Sequence, residues 1–89
     1  MVDVSVITPS LNSAGVINDC LKSVAQQSCQ VEHIVVDGYS SDGTVDQVRE
    51  FGITAKLLQE EPAGIYSAIN SGILNASAPI VGVLNADDL

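Results

Sequence analysis

"VDVSVIT", Val2 to Thr8, is the stretch whose pattern decides the fold. Its apolar residues are nearly continuous and fall on both faces, as in a strand buried on both sides of a parallel sheet. Pro9 is expected to stop it. After "SLNSAG", Val16, Ile17, Cys20, Leu21 and Val24 recur at helical spacing, with Asn12 or Ser13 placed to cap the first turn. "HIVVD", His33 to Asp37, is a second strand; His33 stands at its start and is expected to be partly exposed and without a chemical role. The turn-rich "GYSSDGT" then leads into a short helix carrying Val45, Val48 and Phe51, which Gly52 ends. A third strand covers about Thr54 to Leu58. "QEEPAG" opens the clearest amphipathic helix, with Ile65, Ala68, Ile69, Gly72, Ile73 and Ala76 on its apolar side. Pro79 closes that helix and Ile80 to Leu84 forms the fourth strand. The order βαβαβαβ predicts an α/β fold: one domain over residues 1–89, with a Rossmann-like parallel sheet, right-handed crossovers and helices on both faces.

Composition narrows the function classes. Hydrophobic residues make up 46% of the 89 positions, enough for a real if aliphatic core. A chain this short buries only about 60 to 65% of the surface its unfolded form exposes, so its stability margin is thin. Eleven acidic against three basic residues give a formal charge of −8, which repels phosphate backbones and anionic membrane surfaces. Nucleic acid is therefore a poor partner and none is expected, although a nucleotide can bind where backbone N–H groups or a divalent cation supply the positive charge. No apolar run is long enough for a membrane span, and the N-terminus lacks the basic region of a signal peptide. Cys20 and Cys29 would lie about 13 Å apart on one helix, too far for a disulfide, which predicts reduced thiols and a cytoplasmic setting.

A parallel sheet delivers the C-terminal end of every strand to one edge, so residues far apart in sequence meet there. Here they are Thr8, Pro9 and Asn12; Asp37, Ser40 and Asp42; Glu60 and Glu61; and Asn85, Asp87 and Asp88. The set is acidic and rich in oxygen, with no Lys or Arg. Crowded carboxylates of this kind suit a hard divalent cation, Mg²⁺ or Mn²⁺, whose shell substrate phosphates and water complete. The loop after the first strand carries neither a dinucleotide-type G-x-G-x-x-G nor a phosphate-loop G-K-[ST].

Four segments together resemble the N-terminal half of a family 2 glycosyltransferase with the GT-A fold. "VSVITPSLNSA" is similar to that family's opening strand and nucleotide-contacting loop, and "HIVVDGYSSDGT" to its second strand and turn. "EEPAGIYSAINSGILNA" resembles its third-helix signature, and "IVGVLNADD" its metal-binding D-x-D-type motif. The resemblance implies a nucleotide-sugar donor, a UDP-sugar in particular, with Thr8, Pro9 and Asn12 at the nucleotide and Asp37 accepting a hydrogen bond from the base. It implies that Asp87 and Asp88 ligate Mg²⁺ or Mn²⁺. It also implies a role in polysaccharide biosynthesis in the cytoplasm. The acceptor site and the catalytic base of such enzymes lie in the second half, so no catalytic residue is assigned within residues 1–89.

Three departures from the family pattern bear on affinity. Tyr39 stands where "DGGS" relatives carry Gly, Ser67 and Ser71 replace an Asp and a Lys, and Asn85 replaces the first acid of D-x-D. Weaker metal and donor binding is the expectation. The alternative is a catalytically inactive α/β module that associates with itself through an exposed sheet edge, and a homo-oligomer or a missing C-terminal half is expected as partner.

Overall fold

The computed structural model describes residues 2–27, 30–51 and 55–85. Seven elements alternate in it: β1 (Val4–Ser10), α1 (Ile17–Ala25), β2 (Val31–Asp37), α2 (Thr44–Phe51), β3 (Ala55–Gln59), α3 (Ile65–Leu74) and β4 (Ile80–Val83). The strands are parallel and lie in the order β3-β2-β1-β4. The α/β alternation predicted from periodicity is thus observed. α1 and α2 cover one face, where Ile17, Leu21, Val35 and Val48 form a buried cluster; α3 covers the other, over Ile7, Ile34 and Val36.

β1 does not stop at Pro9. It continues to Ser10, which pairs with Asp37, because the proline costs no ladder bond. Leu84 N–H donates to the Ile7 carbonyl, so by alternation Ile7 and Pro9 direct their backbone groups toward β4, whose register with β1 ends at Ile7–Val83. The missing N–H of Pro9 falls beyond the last rung.

Several polar residues within the strands are buried and paired. Thr8 Oγ1 lies 2.7 Å from His33 Nε2 and 3.7 Å from Cys20 Sγ, under α1. His33 is therefore not partly exposed: only 3% of its surface is accessible, and burial pushes its imidazole down to about 4. Burial likewise pushes the Cys20 thiol up. At the amino edge, Glu32 accepts from Ser77 N–H and Oγ, Ser5 Oγ and Lys56 Nζ. These bonds, the Ser77 N–H foremost, hold its carboxyl down at about 2. Glu32 thereby clips the α3–β4 connection to β1 and β3.

α3 meets the sheet at a glycine. A Cβ on buried Gly72 would sit 2.5 Å from Ile7 Cγ2 and 2.9 Å from Cγ1, so the helix can approach β1 only without a side chain here. The helix-favouring substitution Gly72→Ala is accordingly expected to destabilise, by about 1–2 kcal/mol, since overpacking outweighs the gain in propensity. A lower urea midpoint with an unchanged slope would show it. His33 makes stability depend on pH. The unfolded chain takes up a proton near pH 6.5 and the folded chain only near 4, so its contribution is complete above about 6.5 and is lost as pH falls toward 4, by up to about 3 kcal/mol. Glu32 begins to lose its share only below about pH 4.5. Urea midpoints at pH 7, 6 and 5 should therefore fall more steeply in the parent chain than in His33→Gln; parallel curves would contradict this.

Candidate functional site

The carboxyl ends of the strands enclose an open cleft of about 280 Å³. From β1 and its loop come Pro9, Ser10, Leu11 and Ser13; from β2, Val36, Asp37 and Gly38. The β3–α3 connection adds Glu60 through Ile65, and Asn85 follows β4. The connections from β1 run toward β2 over one face, whereas β4 returns to the opposite side of β1 by way of α3 on the other face. Such a reversal of strand order opens the crevice in which doubly wound sheets bind ligands.

The floor of the cleft is built around Asp37, which is fully buried. Its Oδ1 accepts from Ser10 Oγ at 2.7 Å and from Ser40 Oγ at 2.6 Å, and its Oδ2 accepts from Ser40 N–H at 2.8 Å. The last bond closes a turn over residues 37–40. Tyr39 lies inside that turn with φ 61°, so the position does require the left-handed region, and an exposed tyrosine occupies it at a strain cost of about 1 kcal/mol or more. Gly38 is tight for another reason: a Cβ there would lie 3.0 Å from Pro62 Cγ and 3.3 Å from Leu11 Cδ1.

The two loops flanking this floor bind each other. Asn12 N–H donates to Ser40 Oγ, Ser13 N–H to Thr44 Oγ1 and Ala14 N–H to Asp42 Oδ2, while Asn12 Oδ1 accepts from Ser41 N–H. Neither Asn12 nor Ser13 caps α1 by its side chain as the sequence suggested. Val16 is the cap residue, and the Ser13 carbonyl accepts from Val16 and Ile17 N–H. Asp42 also accepts from Thr44 N–H and Oγ1 at the start of α2, and these bonds lower its carboxyl below the usual range, the Thr44 hydroxyl contributing most.

The residues singled out from sequence therefore separate. Pro9 and Asp37 line the cleft, with Glu60, Glu61 and Asn85. Thr8 does not: it is fully buried and turned under α1 toward His33 and Cys20. Asn12 is also outside the lining, with its left-handed backbone (φ 50°) and side chain committed to the 40–44 loop. Asp87, Asp88 and Cys29 lie outside the described residues. Among the described residues no three His, Cys, Asp or Glu side chains gather as a metal site. Sequence reasoning missed Ser10, Leu11, Ser13, Gly38 and the 62–65 segment. The signal for Gly38 was available, as a glycine directly after a strand-terminal Asp.

The cleft is acidic. Asp37, Glu60 and Glu61 line it and no Lys or Arg does. Glu60 Oε2 accepts from Ser71 Oγ at 2.6 Å, so a neutral serine touches this cleft carboxylate without neutralising it. The opening turn of α3 follows Gly64, whose φ of 95° turns the chain into the helix, and no side-chain cap engages its N–H groups. Gly64 and Ile65 are part of the lining. The cleft thus offers acceptor oxygens and uncapped helix N–H groups, the latter suited to anionic oxygen. Among the described residues no helix is long and apolar enough to cross a membrane.

Comparison with known proteins gives a consistent picture. A glycosyltransferase of PGL/p-HBAD biosynthesis from Mycobacterium bovis BCG is 37% identical over 89 residues, covering 94% of this chain and 35% of its own length. The mannosyltransferase PcManGT from Pyrobaculum calidifontis, solved in complex with GDP-Man and Mn²⁺, superposes with a TM-score of 0.86 at 33% identity, over 94% of this chain and 27% of that one. S. aureus TarS 1-349 in complex with UDP gives a TM-score of 0.87 at 29% identity, over 96% of this chain and 27% of its own. The chain spans about a third of the length of the curated relatives it matches. The family model for glycosyl transferase family 2 matches residues 5–89, nearly the whole chain. The fold, the switch-point cleft and these matches agree: this chain belongs to glycosyl transferase family 2.

Proposed function

We propose that this chain forms the donor-binding part of a glycosyltransferase, with a nucleoside diphosphate sugar, a UDP-sugar in particular, seated in the cleft at the carboxyl ends of the strands. The observation that carries this reading is the position of the cleft at the topological switch point of a family 2 fold. Neighbours of the same fold are described with GDP-Man and Mn²⁺ or with UDP. Pro9, Leu11 and Val36 supply apolar walls for a nucleoside, and Ser10, Ser13 and the Gly38 backbone supply polar groups. Asp37 has both carboxyl oxygens engaged by Ser10 and Ser40, so its first role is to hold the floor; contact with a base would use a remaining lone pair.

The departing diphosphate needs positive charge that no cleft side chain provides. Asp87 and Asp88, just after Asn85, are proposed to hold Mg²⁺ or Mn²⁺ there, and an oxygen-only acidic edge fits a hard cation. A bound divalent ion supplies Lewis-acid stabilisation of the leaving group. The uncapped opening turn of α3 presents N–H groups toward the same anion. No residue of this chain is assigned the role of base for the acceptor hydroxyl. The setting proposed is cytoplasmic polysaccharide synthesis.

Titrating UDP into isotope-labelled protein, with and without Mg²⁺, tests this reading. Mg²⁺-dependent amide shifts at Ser10, Gly38 and Gly64 are expected, and Asp87→Asn with Asp88→Asn should remove the dependence on the ion. A folded spectrum unmoved at millimolar UDP would refute the donor site. Ser71→Lys provides a second check. Its ammonium group would pair with Glu60 and lessen the negative potential of the cleft, so UDP should bind a few-fold more tightly at low salt, the gain shrinking as salt rises. Equal affinity in both chains would show that Glu60 does not oppose the diphosphate.

A further inference from the structure

We propose that the group which meets the base of the donor is the Ser10 hydroxyl oxygen, held by Asp37 as an acceptor for a single N–H. This inference rests on the donor-site reading and names a contact within it. Asp37 belongs to the floor of the cleft, yet it has no accessible surface. Its register partner, Ser10 at the end of β1, lines the same cleft and keeps 8% of its surface open. A ligand in the cleft therefore reaches Ser10 before it reaches the carboxylate.

Hydrogen bonding fixes what Ser10 can offer. An ionised carboxylate only accepts, so the 2.7 Å bond from Ser10 Oγ to Asp37 Oδ1 uses the one proton of the hydroxyl. Asp37 is not free to turn and release it. The Ser40 N–H pins Oδ2 at 2.8 Å, and the Ser40 hydroxyl donates to Oδ1 at 2.6 Å. The Ser10 carbonyl is engaged as well, by the Gly38 N–H at 3.0 Å. What remains at residue 10 is the lone-pair side of the hydroxyl, which accepts from no group among the described residues. Donation to a charged oxygen strengthens a hydroxyl as an acceptor in its turn. Ser10 thus presents the polarity of the carboxylate to the cleft while the charge itself stays buried.

An acceptor of this kind selects for a donor. Uracil presents an N–H at its N3 position, between two carbonyls, whereas cytosine presents there a bare ring nitrogen that is itself an acceptor. Two acceptors brought together leave lone pairs desolvated and unpaired, so the N–H base is preferred over its amino counterpart of the same size. Asp37 is a positioning residue in this arrangement, and Asp37→Asn has a determinate consequence. The Ser40 N–H is backbone and stays in place, so the amide oxygen takes the position of Oδ2 and the amide nitrogen that of Oδ1. That nitrogen then donates to the hydroxyl oxygens of Ser10 and Ser40, and the Ser10 proton turns to the cleft. The polarity of the contact inverts with almost no change of shape.

Calorimetric titration of UDP and of CDP into the full chain, in Mg²⁺, is the test. It reads the ratio of two affinities, which a general loosening of the site does not move. In the parent chain UDP is expected to bind at least about tenfold more tightly than CDP. Ser10→Ala should weaken UDP and spare CDP, bringing the two within about threefold of each other. Asp37→Asn should reverse the preference. Ser10→Ala leaves Asp37 with both Ser40 donors, so it carries the test even where circular dichroism shows Asp37→Asn to be unfolded. Equal binding of UDP and CDP by the parent chain, or a ratio that Ser10→Ala leaves unchanged, would overturn the assignment of Ser10 while the donor site stands. Binding of neither nucleotide by the parent chain would overturn the donor reading itself, and this contact with it.

Discussion

The Asp37 carboxylate is the constraint from which the carboxyl edge of the sheet takes its shape. A fully buried carboxyl without partners would cost several kcal/mol, and here three donors offset that cost. Ser10 and Asp37 are register partners, so their side chains lie on one face and their bond closes the last rung between β1 and β2. Ser40 then draws the chain back over the strand end, which forces Tyr39 into the left-handed region. The same Ser40 hydroxyl accepts from Asn12 N–H, so the bonding continues from β2 through the turn into the loop that precedes α1. Breaking the carboxylate out of this chain would release two loops and the starts of two helices together.

The far wall of the cleft is tied to the same point by different means. Glu60 N–H donates to the Asp37 carbonyl, Gly38 leaves room for Pro62, and Ser71 holds Glu60 from α3. α3 itself is set by the contact of Gly72 with Ile7. The cleft is thus bounded on one side by a hydrogen-bonded loop pair and on the other by a connection seated on a helix, and both are anchored to the β1–β2 pair. Strand C-termini deliver the backbone there, and small residues at two close approaches let the walls come near enough to form one site.

The element order was legible because each strand and helix keeps its own hydrophobic period, and tertiary packing overrode none of them. Boundaries were less legible where side chains from elsewhere satisfy the backbone. α1 begins at Ile17, later than a local capping rule gives, since N–H groups of residues 12–14 are bound by Ser40, Thr44 and Asp42 some 30 positions away. Thr8 shows the matching limit at the site. It lies within β1, two residues before the strand's end, and the face it occupies depends on His33 and Cys20 meeting beneath α1, which no local pattern encodes. Asp37 was legible as an edge residue, whereas its internal bonding depended on Ser40 closing the turn and on a seven-residue register with β1.

Charge is distributed between the two ends of the sheet in a way that bears on what each end can do. At the amino edge Glu32 has Lys56 and a set of hydroxyl and amide donors, so its charge is spent on holding the α3–β4 connection in place. At the carboxyl edge Glu60 meets a neutral serine and Glu61 is exposed, with no cationic side chain in the lining. The field at the cleft is therefore negative before any ligand arrives, and an anionic ligand must bring or find its countercharge. The uncapped turn of α3 supplies only a fraction of one, about half a unit charge. An edge with this balance discriminates by charge as much as by shape, and an anion without countercharge is disfavoured there.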